Sequence, residues 1–489
     1  MIEELDHEAG RAAQQPIKKE EKTQSQKLIE LTSDMTLFYD DQGESYAKMK
    51  VDNHYEVWNV ESETMELMLI DRYMNAYENK IPSKKGLKEA VQVLKAKARL
   101  RGKKEVIHTR IAETDDAAYI DLCNGNWEVI EIKKEGWKVI SSPPVYFKRS
   151  KTMKTLPKPN RNGKIDHLKP FVNFSDKSDF KLIIAWLLST LKENSPFPIL
   201  ILQGEQGSAK STTANILRSI IDPSSLPLRT FPNDEMTLAI ASSNTWILAY
   251  DNLSGLSNKM SDALCKMSTG GGITTRTLYT TNEETVLKIK RPCILNGIDD
   301  IGQRPDLLER SIVLTLPSIK AEKRTDEKTF WKDFKDQHAN ILGALCDVVS
   351  GTLRELPYTK LKSKPRMADF ALWITAAEKS LDWESDSFIE IYKANMSKAI
   401  DLGLELDPIA VAVQELMSER NEWIATTTET LNQLKSHAEK EVIISPSWPT
   451  PNKLKDRLRR IAPSLRTKGI EYVELPRSSK GGMIKINKF

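Results

Sequence analysis

The chain has 489 residues, of which 39% are hydrophobic and 29% charged; this is typical of soluble globular proteins and long enough for about three domains. No run approaches the ~20 apolar residues of a membrane span, and no signal peptide is apparent at the N-terminus. The four cysteines lie far apart without a C-x-x-C pair, which argues against zinc and disulfides and indicates a reducing cytoplasm.

The net charge of +4 is unevenly distributed along the chain. Residues 431–489 hold 13 Lys/Arg against 5 Asp/Glu. A basic end of this kind favours nucleic acid as a partner, although basic tails also serve solubility alone.

The N-terminal third predicts an α+β domain behind a polar arm. Residues 1–30 lack lasting periodicity, which indicates a disordered arm or a frayed helix. Over residues 31–149 the patterns predict strands and helices, and the carboxylates show no catalytic or metal-ligand spacing. Residues 150–170 are rich in Lys and Arg and predict a basic linker, which either contacts a phosphate backbone or is a solvated hinge.

Residues 198–221 contain the clearest functional signal. An apolar run at 199–202 predicts a buried strand, a glycine-containing loop follows, and the next residues have helical periodicity. Strand, loop and helix in this order are the setting that a Walker A phosphate loop requires. The expected nucleotide-binding residues are Gly204, Glu205, Gln206, Gly207, Ser208, Ala209, Lys210, Ser211 and Thr212.

Each part of such a loop has a direct chemical role. Backbone N–H groups converge on phosphate oxygens, Lys210 adds a positive charge, and the Ser211 hydroxyl ligates Mg²⁺. Ala209 stands where glycine is usual, and alanine resists positive φ, so the loop either turns within ordinary backbone space or is strained there. A glycine turn that binds no nucleotide is the alternative interpretation.

Three further strands are predicted after the loop and complete an α/β nucleotide domain over residues 171–318. The run at 245–250 ends at Asp251, which would place a carboxylate beside the Mg²⁺. The run ending at Asn296 would place an amide where it can hold a water in line with the γ-phosphate. Arg304 and Arg310 precede the last strand. Aspartate or asparagine at a strand end is commonly a cap or turn residue. The nucleotide site is therefore supported by the order of these residues after the phosphate loop, and not by any one of them alone.

A β-hairpin is predicted between Asp251 and Asn296. Its arms, 273–280 and 285–290, carry Arg276, Lys288 and Lys290. Because the two lysines alternate with Ile289, they are expected to share one face of the strand and to contact the phosphates of single-stranded DNA. A surface hairpin with solvated lysines is the alternative.

The C-terminal part predicts helices followed by a basic module. Residues 319–430 are mostly helical, and residues 431–489 read as a helix followed by a two-stranded wing, a winged-helix pattern that reads duplex DNA. A peptide-docking or oligomer-contact module is the alternative. The expected DNA-binding cations of the basic helix are Lys453, Lys455, Arg457, Arg459 and Arg460.

A family resemblance covers residues 165–400 strongly and the N-terminal domain more weakly. The segments that carry it are GEQGSAKSTT, YDNLSGLSNKMSDALCKMSTGGG, TRTLYTTNEE, RPCILNGI, RPDLLERSI, ILGAL and PRMADFALW. In this order they resemble the replicative helicases of staphylococcal chromosome cassettes and pathogenicity islands and related phage ATPases. Those proteins are similar to superfamily 3 initiator-helicases and to minichromosome-maintenance helicases of the AAA+ class.

The resemblance implies an α/β fold: an AAA+ P-loop ATPase core with a helical lid, an α+β N-terminal domain and a C-terminal winged helix. It implies ATP and Mg²⁺ as cofactors and ATP-driven unwinding at the origin of a mobile element. The implied partners are single- and double-stranded DNA, further copies of the chain in a ring expected to be a hexamer, and a primase or polymerase.

The resemblance also assigns roles to individual residues. Lys210 and Ser211 would hold phosphate and Mg²⁺, Asp251 would support the metal, and Asn296 would be sensor 1. Arg310 matches an arginine finger that reaches a neighbour's ATP, with Arg304 the second candidate, and Arg366 would be a sensor 2 arginine.

One position departs from the family pattern. Asn252 stands where most AAA+ proteins have glutamate, and asparagine orients water but cannot accept its proton. Glu205 and Asp262 are the candidate replacements. Two other functions therefore stay open: an ATP-dependent loader or remodeller of protein complexes, and a nucleotide-dependent DNA-binding switch with little turnover.

Overall fold

The computed structural model describes residues 22–276, 284–297, 304–320, 322, 324–445, 448–478 and 481–489. The chain forms two compact units, Met1–Val106 and Ile107–Phe489. The sequence suggested a first boundary at residue 150, whereas the strands of residues 107–149 belong to the second unit. Across the described residues, every helix is too short or too polar to cross a bilayer.

The first unit is a four-stranded sheet with three helices. Part of the predicted disordered arm, residues 1–21, lies outside the described residues, and the rest contains a helix with a capping box at Thr23. The sheet order is β3-β2-β1-β4, with β4 parallel to β1 and the other pairs antiparallel. The elements are α1 (Gln24–Glu30), β1 (Thr36–Tyr39), β2 (Ser45–Val51), β3 (His54–Asn59), α2 (Glu63–Ala76), α3 (Lys84–Arg101) and β4 (Lys103–Lys104).

The second unit begins with a β-meander. Its antiparallel sheet has the order β6-β7-β8-β9, and β5 pairs with β10 beside it. Ile130, Ile132 and Trp137 of this meander join the largest hydrophobic core of the chain. The strands are β5 (Ile107–His108), β6 (Ile111–Glu113), β7 (Ala117–Asp121), β8 (Val129–Lys133), β9 (Gly136–Ile140) and β10 (Tyr146–Phe147).

A five-stranded parallel sheet forms the centre of the second unit, with the order β12-β13-β16-β11-β17. Both of its faces are covered, by two separate hydrophobic clusters, which explains why its strands read as unbroken apolar runs. The elements are α4 (Lys177–Ser189), β11 (Ile199–Gln203), α5 (Lys210–Ile221), β12 (Arg229–Thr230), α6 (Glu235–Asn244), β13 (Leu248–Leu253), α7 (Asn258–Thr269), β14 (Gly272–Arg276), β15 (Glu284–Lys288), β16 (Cys293–Gly297), α8 (Pro305–Leu308) and β17 (Ser311–Thr315).

Helices follow the sheet. The first of them is 29 residues long, in line with the mostly helical pattern predicted for residues 319–430. The helices are α9 (Glu327–Glu355), α10 (Ala368–Ala377) and α11 (Ser387–Glu405). Asn395 of α11 covers the edge strand β17: its side-chain oxygen accepts from Val313 N at 3.1 Å and its Nδ2 donates to Val313 O at 2.7 Å.

The predicted basic linker packs against α9 instead of forming a loose hinge. Leu156 is buried, and the backbone N–H of Asn160 donates to Ala339 O at 2.9 Å. Gly343 makes this approach feasible, because a Cβ there would lie 1.7 Å from Asn160 O. Residues 165–171 then form a 3-10 turn that leads into α4.

The C-terminal core starts earlier than its charge suggested. Residues of α12, α13, α15 and the last sheet share one hydrophobic cluster with Ile400 and Leu404 of α11, so the C-terminal core includes residues that precede 431. The three-stranded sheet has the order β18-β20-β19, and β18 was not predicted. The elements are α12 (Pro408–Ser418), β18 (Glu422–Thr426), α13 (Thr427–Lys435), α14 (Lys440–Ile444), α15 (Pro451–Thr467), β19 (Ile470–Ser478) and β20 (Gly481–Lys488).

Candidate functional site

The loop between β11 and α5 encloses the Lys210 ammonium. Lys210 Nζ donates to the carbonyl oxygens of Gly204 at 2.6 Å and Glu205 at 2.8 Å, and lies 3.5 Å from Ser208 Oγ. Because α5 begins at Lys210, the positive charge stands at a helix N-terminus, where free backbone N–H groups also favour an anion.

The remaining predicted loop residues surround this cation. Gly207 has φ +82°, and its carbonyl accepts from Ile319 N at 3.2 Å. Gln206 is exposed, and Thr212 lies half-buried in the first turn of α5. Sequence reasoning missed Asn173, whose Nδ2 donates to Ser208 O at 2.9 Å and to Pro317 O at 2.7 Å. No motif marks it, since its partners are distant in the chain.

Ala209 adopts the left-handed conformation, with φ 58° and ψ 32°. Of the two backbone geometries that the sequence left open, the structure has the strained one. A residue with a Cβ pays roughly 1–2 kcal/mol there, and the loop holds it in place because the neighbouring carbonyls bind Lys210.

Ala209→Gly is therefore expected to stabilise the chain by about 1 kcal/mol, because glycine adopts this conformation without a Cβ clash. The matched control is Ala394→Gly, at an exposed position inside α11, which should lose about 1 kcal/mol by helix propensity. Urea unfolding of both full-length variants measures the two changes in the free energy of unfolding, which should have opposite signs. Destabilisation of equal size in both would contradict the strain at Ala209.

Ser211, Asp251 and Asn296 meet at one edge of the parallel sheet, where β13, β16 and β11 are neighbours. Asp251 lies in β13 and Asn296 in β16, and Ser211 lies in the first turn of α5, after the loop that follows β11. Ser211 Oγ donates to Asp251 Oδ1 at 2.9 Å. The backbone N–H of Asn252 donates to Asp251 Oδ1 and to Asn296 Oδ1, both at 3.0 Å. A β-bulge between Tyr250 and Leu253, with Asn252 at φ 54°, turns that N–H toward both side chains. The sequence-predicted group is thus brought together.

Two features of this group suit a ligand. Hydroxyl and carboxylate oxygens are the ligands that Mg²⁺ prefers in proteins, and here they lie side by side. Asn296 is 1% exposed, and its Nδ2 has no hydrogen-bond partner in the described part of the chain. A buried donor without a partner is costly, and a bound water or phosphate oxygen would satisfy it.

The two carboxylates proposed to replace the missing glutamate are both engaged. Glu205 Oε2 accepts from Ser318 Oγ at 3.1 Å. Asp262 pairs with Arg304 Nη1 at 2.7 Å. The structure therefore does not single out a general base, and Asn252 contributes its backbone N–H to the site.

The three candidate arginines are held by carboxylates of their own chain. Arg310 Nη1 donates to Asp306 O at 2.7 Å and to the Asp306 carboxylate. Arg366 Nη2 lies 2.9 Å from the same Asp306 carboxylate, and its Nη1 pairs with Glu309. Burial raises the pKa of Asp306, but the hydrogen bond and charge of Arg310 outweigh it, so the pKa lies below its usual range.

A cavity of about 600 Å³ brings two predicted sites together. It is lined by Arg304 and Arg366, assigned to ATP from the sequence, and by Arg457 and Arg460 of α15, assigned to DNA. Asp306, Glu309 and Asp407 line the same cavity. Charges that the sequence divided between two functions therefore share one surface.

Most of the predicted DNA-binding cations of α15 pair within the C-terminal domain. Arg457 lies 2.7 Å from Asp407, Arg459 lies 2.5 Å from Glu474, and Lys455 lies 3.6 Å from Glu474. Within the described residues, Lys453 and Arg460 have no carboxylate partner.

The hairpin is present as β14 and β15, paired from Gly272–Lys288 to Arg276–Glu284. Its tip, residues 277–283, and the side chains of Arg276 and Lys288 lie outside the described part. Lys290 follows the end of β15, half-buried, with Nζ 5.6 Å from the centre of the Phe197 ring, and burial lowers its pKa. Strand β15 ends at Lys288, so Lys290 lies beyond it, at the root of the hairpin. The predicted shared face of Lys288 and Lys290 depends on a side chain outside the described part and stays a prediction.

Comparison with known proteins identifies a family that the sequence matches in two regions. Residues 165–399 match the actinomycete integrative conjugative element replication protein, and residues 409–488 match the C-terminal domain of that RepA family. The second match starts at α12, in agreement with the C-terminal core. The comparison with curated proteins gives no match.

Among solved structures, two apo structures of the NrS-1 C-terminal region are similar at low identity. One is 13% identical with a TM-score of 0.41, and the other is 12% identical with a TM-score of 0.40; each alignment covers 96% of this chain and 100% of the other. The two family matches follow one another along the sequence and together cover well over half of it, and the chain belongs to the replication proteins of integrative conjugative elements.

Proposed function

We propose that this replication protein is an ATP-driven DNA helicase and initiator, acting at the origin of its mobile element. In this proposal residues 171–318 are an AAA+ P-loop ATPase core, the helices that follow are its lid, and the C-terminal domain is a winged helix. The observation that carries the proposal is the group formed by Ser211, Asp251 and Asn296 beside the Lys210 loop.

The chemistry follows from the residues in that group. Lys210 would exchange its bonds to the loop carbonyls for phosphate oxygens. Ser211 and Asp251 would hold Mg²⁺, which neutralises charge on the β- and γ-phosphates when it is bound. Asn296 has a free amide donor for the attacking water, and positioning of this kind supplies much of phosphoryl-transfer catalysis.

Arg310 connects the proposed ATP site to the assembly of several copies of the chain. In the proposal Arg310 reaches the ATP of a neighbouring copy in a ring, taken to be a hexamer. To do so it must leave the Asp306 carboxylate, which now holds both Arg310 and Arg366. Docking of a neighbour that supplies phosphate oxygens would compensate for the lost ion pairs.

DNA would contact two parts of the second unit. The hairpin that precedes β16 is proposed to grip one strand through phosphate contacts. The C-terminal domain is proposed to bind origin duplex through cations that include Lys453 and Arg460, which have no carboxylate partner among the described residues. A primase or polymerase is the proposed further partner.

The decisive experiment is strand displacement on a forked duplex, with DNA-stimulated ATP hydrolysis measured in parallel. ATP should support displacement and a non-hydrolysable analogue should not. Hydrolysis without displacement would favour the loader or remodeller. Nucleotide-dependent DNA binding without turnover would favour the switch, which Asn252 supports because no carboxylate stands at its position.

A further inference from the structure

The charges of the first unit are segregated along its sequence. Residues 22–106 hold 15 Lys/Arg and 14 Asp/Glu, so the unit is almost neutral. Nine of those cations but only one of the carboxylates, Glu89, fall between Lys84 and Lys104, which is α3 and the short strand β4. Such a concentration on one element produces a local positive field although the net charge is small.

Helix α3 presents these cations to solvent. Its buried side, which includes Ala90, Leu94 and Ala98, packs into the core of the unit. At 100° per residue, five cations fall within about 100° of arc on the other side. We name this set the cationic stripe; its members are Lys84, Lys85, Lys88, Lys95 and Arg99.

The stripe is only partly neutralised. Lys95 pairs with Glu61 at 2.7 Å, and Lys85 lies 4.0 Å from Glu89. Lys84, Lys88 and Arg99 are exposed and have no carboxylate partner among the described residues. Like charges four apart, as in Lys84–Lys88 and Lys95–Arg99, destabilise a helix by roughly 0.2–0.5 kcal/mol per pair. An anionic ligand would relieve that repulsion.

From these observations we infer that the cationic stripe binds the phosphate backbone of duplex DNA. From Lys84 to Arg99 the stripe is roughly 22 Å long at 1.5 Å per residue, the length of about six base pairs at 3.4 Å each. Helix α3 contains no aromatic residue, and single-strand sites rely on aromatic side chains for base stacking. Phosphate contacts without stacking suit a duplex and carry no sequence preference.

The test compares two double variants of the full chain, each losing two positive charges in the first unit. The stripe variant is Lys88→Gln with Arg99→Gln. The matched control is Lys48→Gln with Lys50→Gln: these lysines alternate along β2 with Ala47 and Met49, which face the helix-packed core, so they lie on the opposite face of the sheet. Duplex affinity is measured by fluorescence anisotropy from 50 to 250 mM salt.

The stripe variant should bind duplex more weakly. The slope of the logarithm of the association constant against log salt should become less steep by about 1.8, because each phosphate contact contributes about 0.9. The control should keep the parent slope. Equal losses in both variants would overturn the proposal in favour of a net-charge effect, and so would an unchanged slope in the stripe variant. A loss confined to single-stranded DNA would also overturn it. Thermal unfolding of both variants confirms that the unit is folded.

Discussion

Lys210→Ala is expected to reduce ATP hydrolysis by at least 10²–10³-fold, the usual cost of removing one preorganised electrostatic contact at a reacting group. The ammonium lies inside the loop at hydrogen-bond distance from two carbonyl oxygens, where no other lysine or arginine of the sequence-predicted loop can replace it. Steady-state hydrolysis and strand displacement should fall together, since in the proposed function both depend on phosphate contact.

The control for this prediction is Lys332→Ala, an exposed cation on α9, which should keep parent activity. Because Lys210 also binds the loop carbonyls, unfolding curves of both variants are needed to separate lost chemistry from a lost fold. Near-parent hydrolysis by a folded Lys210→Ala variant would refute the phosphate-loop assignment.

Arg110→Met is expected to destabilise the second unit by about 3–5 kcal/mol, the usual cost of leaving one partner of a buried ion pair alone. Arg110 is fully buried, and its Nε lies 3.1 Å from Asp222 Oδ1. The same guanidinium donates to the carbonyl oxygens of Asp121 at 2.9 Å and Lys154 at 2.8 Å. The other Asp222 oxygen accepts from Trp246 N and Ile247 N. One ion pair thus joins the meander, the linker segment and the parallel sheet.

Chemical denaturation should show this loss as a lower unfolding midpoint. The matched control is Lys379→Met, which removes the cation of an exposed pair with Glu355 at 2.7 Å and should cost less than about 1 kcal/mol. Adding Asp222→Asn to Arg110→Met should recover part of the loss, because it removes the unpaired charge. Equal midpoints for Arg110→Met and Lys379→Met would contradict this role of Arg110.

Local signals predicted the strands of the parallel sheet well. Parallel strands buried on both faces read as apolar runs, and the polar residue that follows each run marks the edge where strand ends meet. Asp251 and Asn296 were located in this way. Their contact through the Asn252 N–H requires that their strands be neighbours and that the bulge turn this N–H toward both side chains.

The same local signals could not predict packing between residues that are distant in the chain. Lysine, proline and asparagine in residues 150–170 suggested a basic linker, either in contact with phosphates or a solvated hinge. Instead, Gly343, almost two hundred residues away in the chain, allows the linker backbone to pack against α9. The C-terminal boundary was placed by the excess of Lys and Arg, while the core that defines it includes α12, which contains no lysine or arginine. The arginines of α15 reach the same cavity as Arg304 and Arg366 only through tertiary folding, so no spacing rule could join them.

The amide of Asn395 has a consequence for the exposed edge of the parallel sheet. An uncovered strand at a sheet edge is a template on which a second molecule can add its own strand, and open-ended addition of that kind produces fibres. With the backbone groups of Val313 already bonded to Asn395, β17 is a poor template at its centre. Strand addition at this edge, and the open-ended fibre that it would build, are thereby disfavoured.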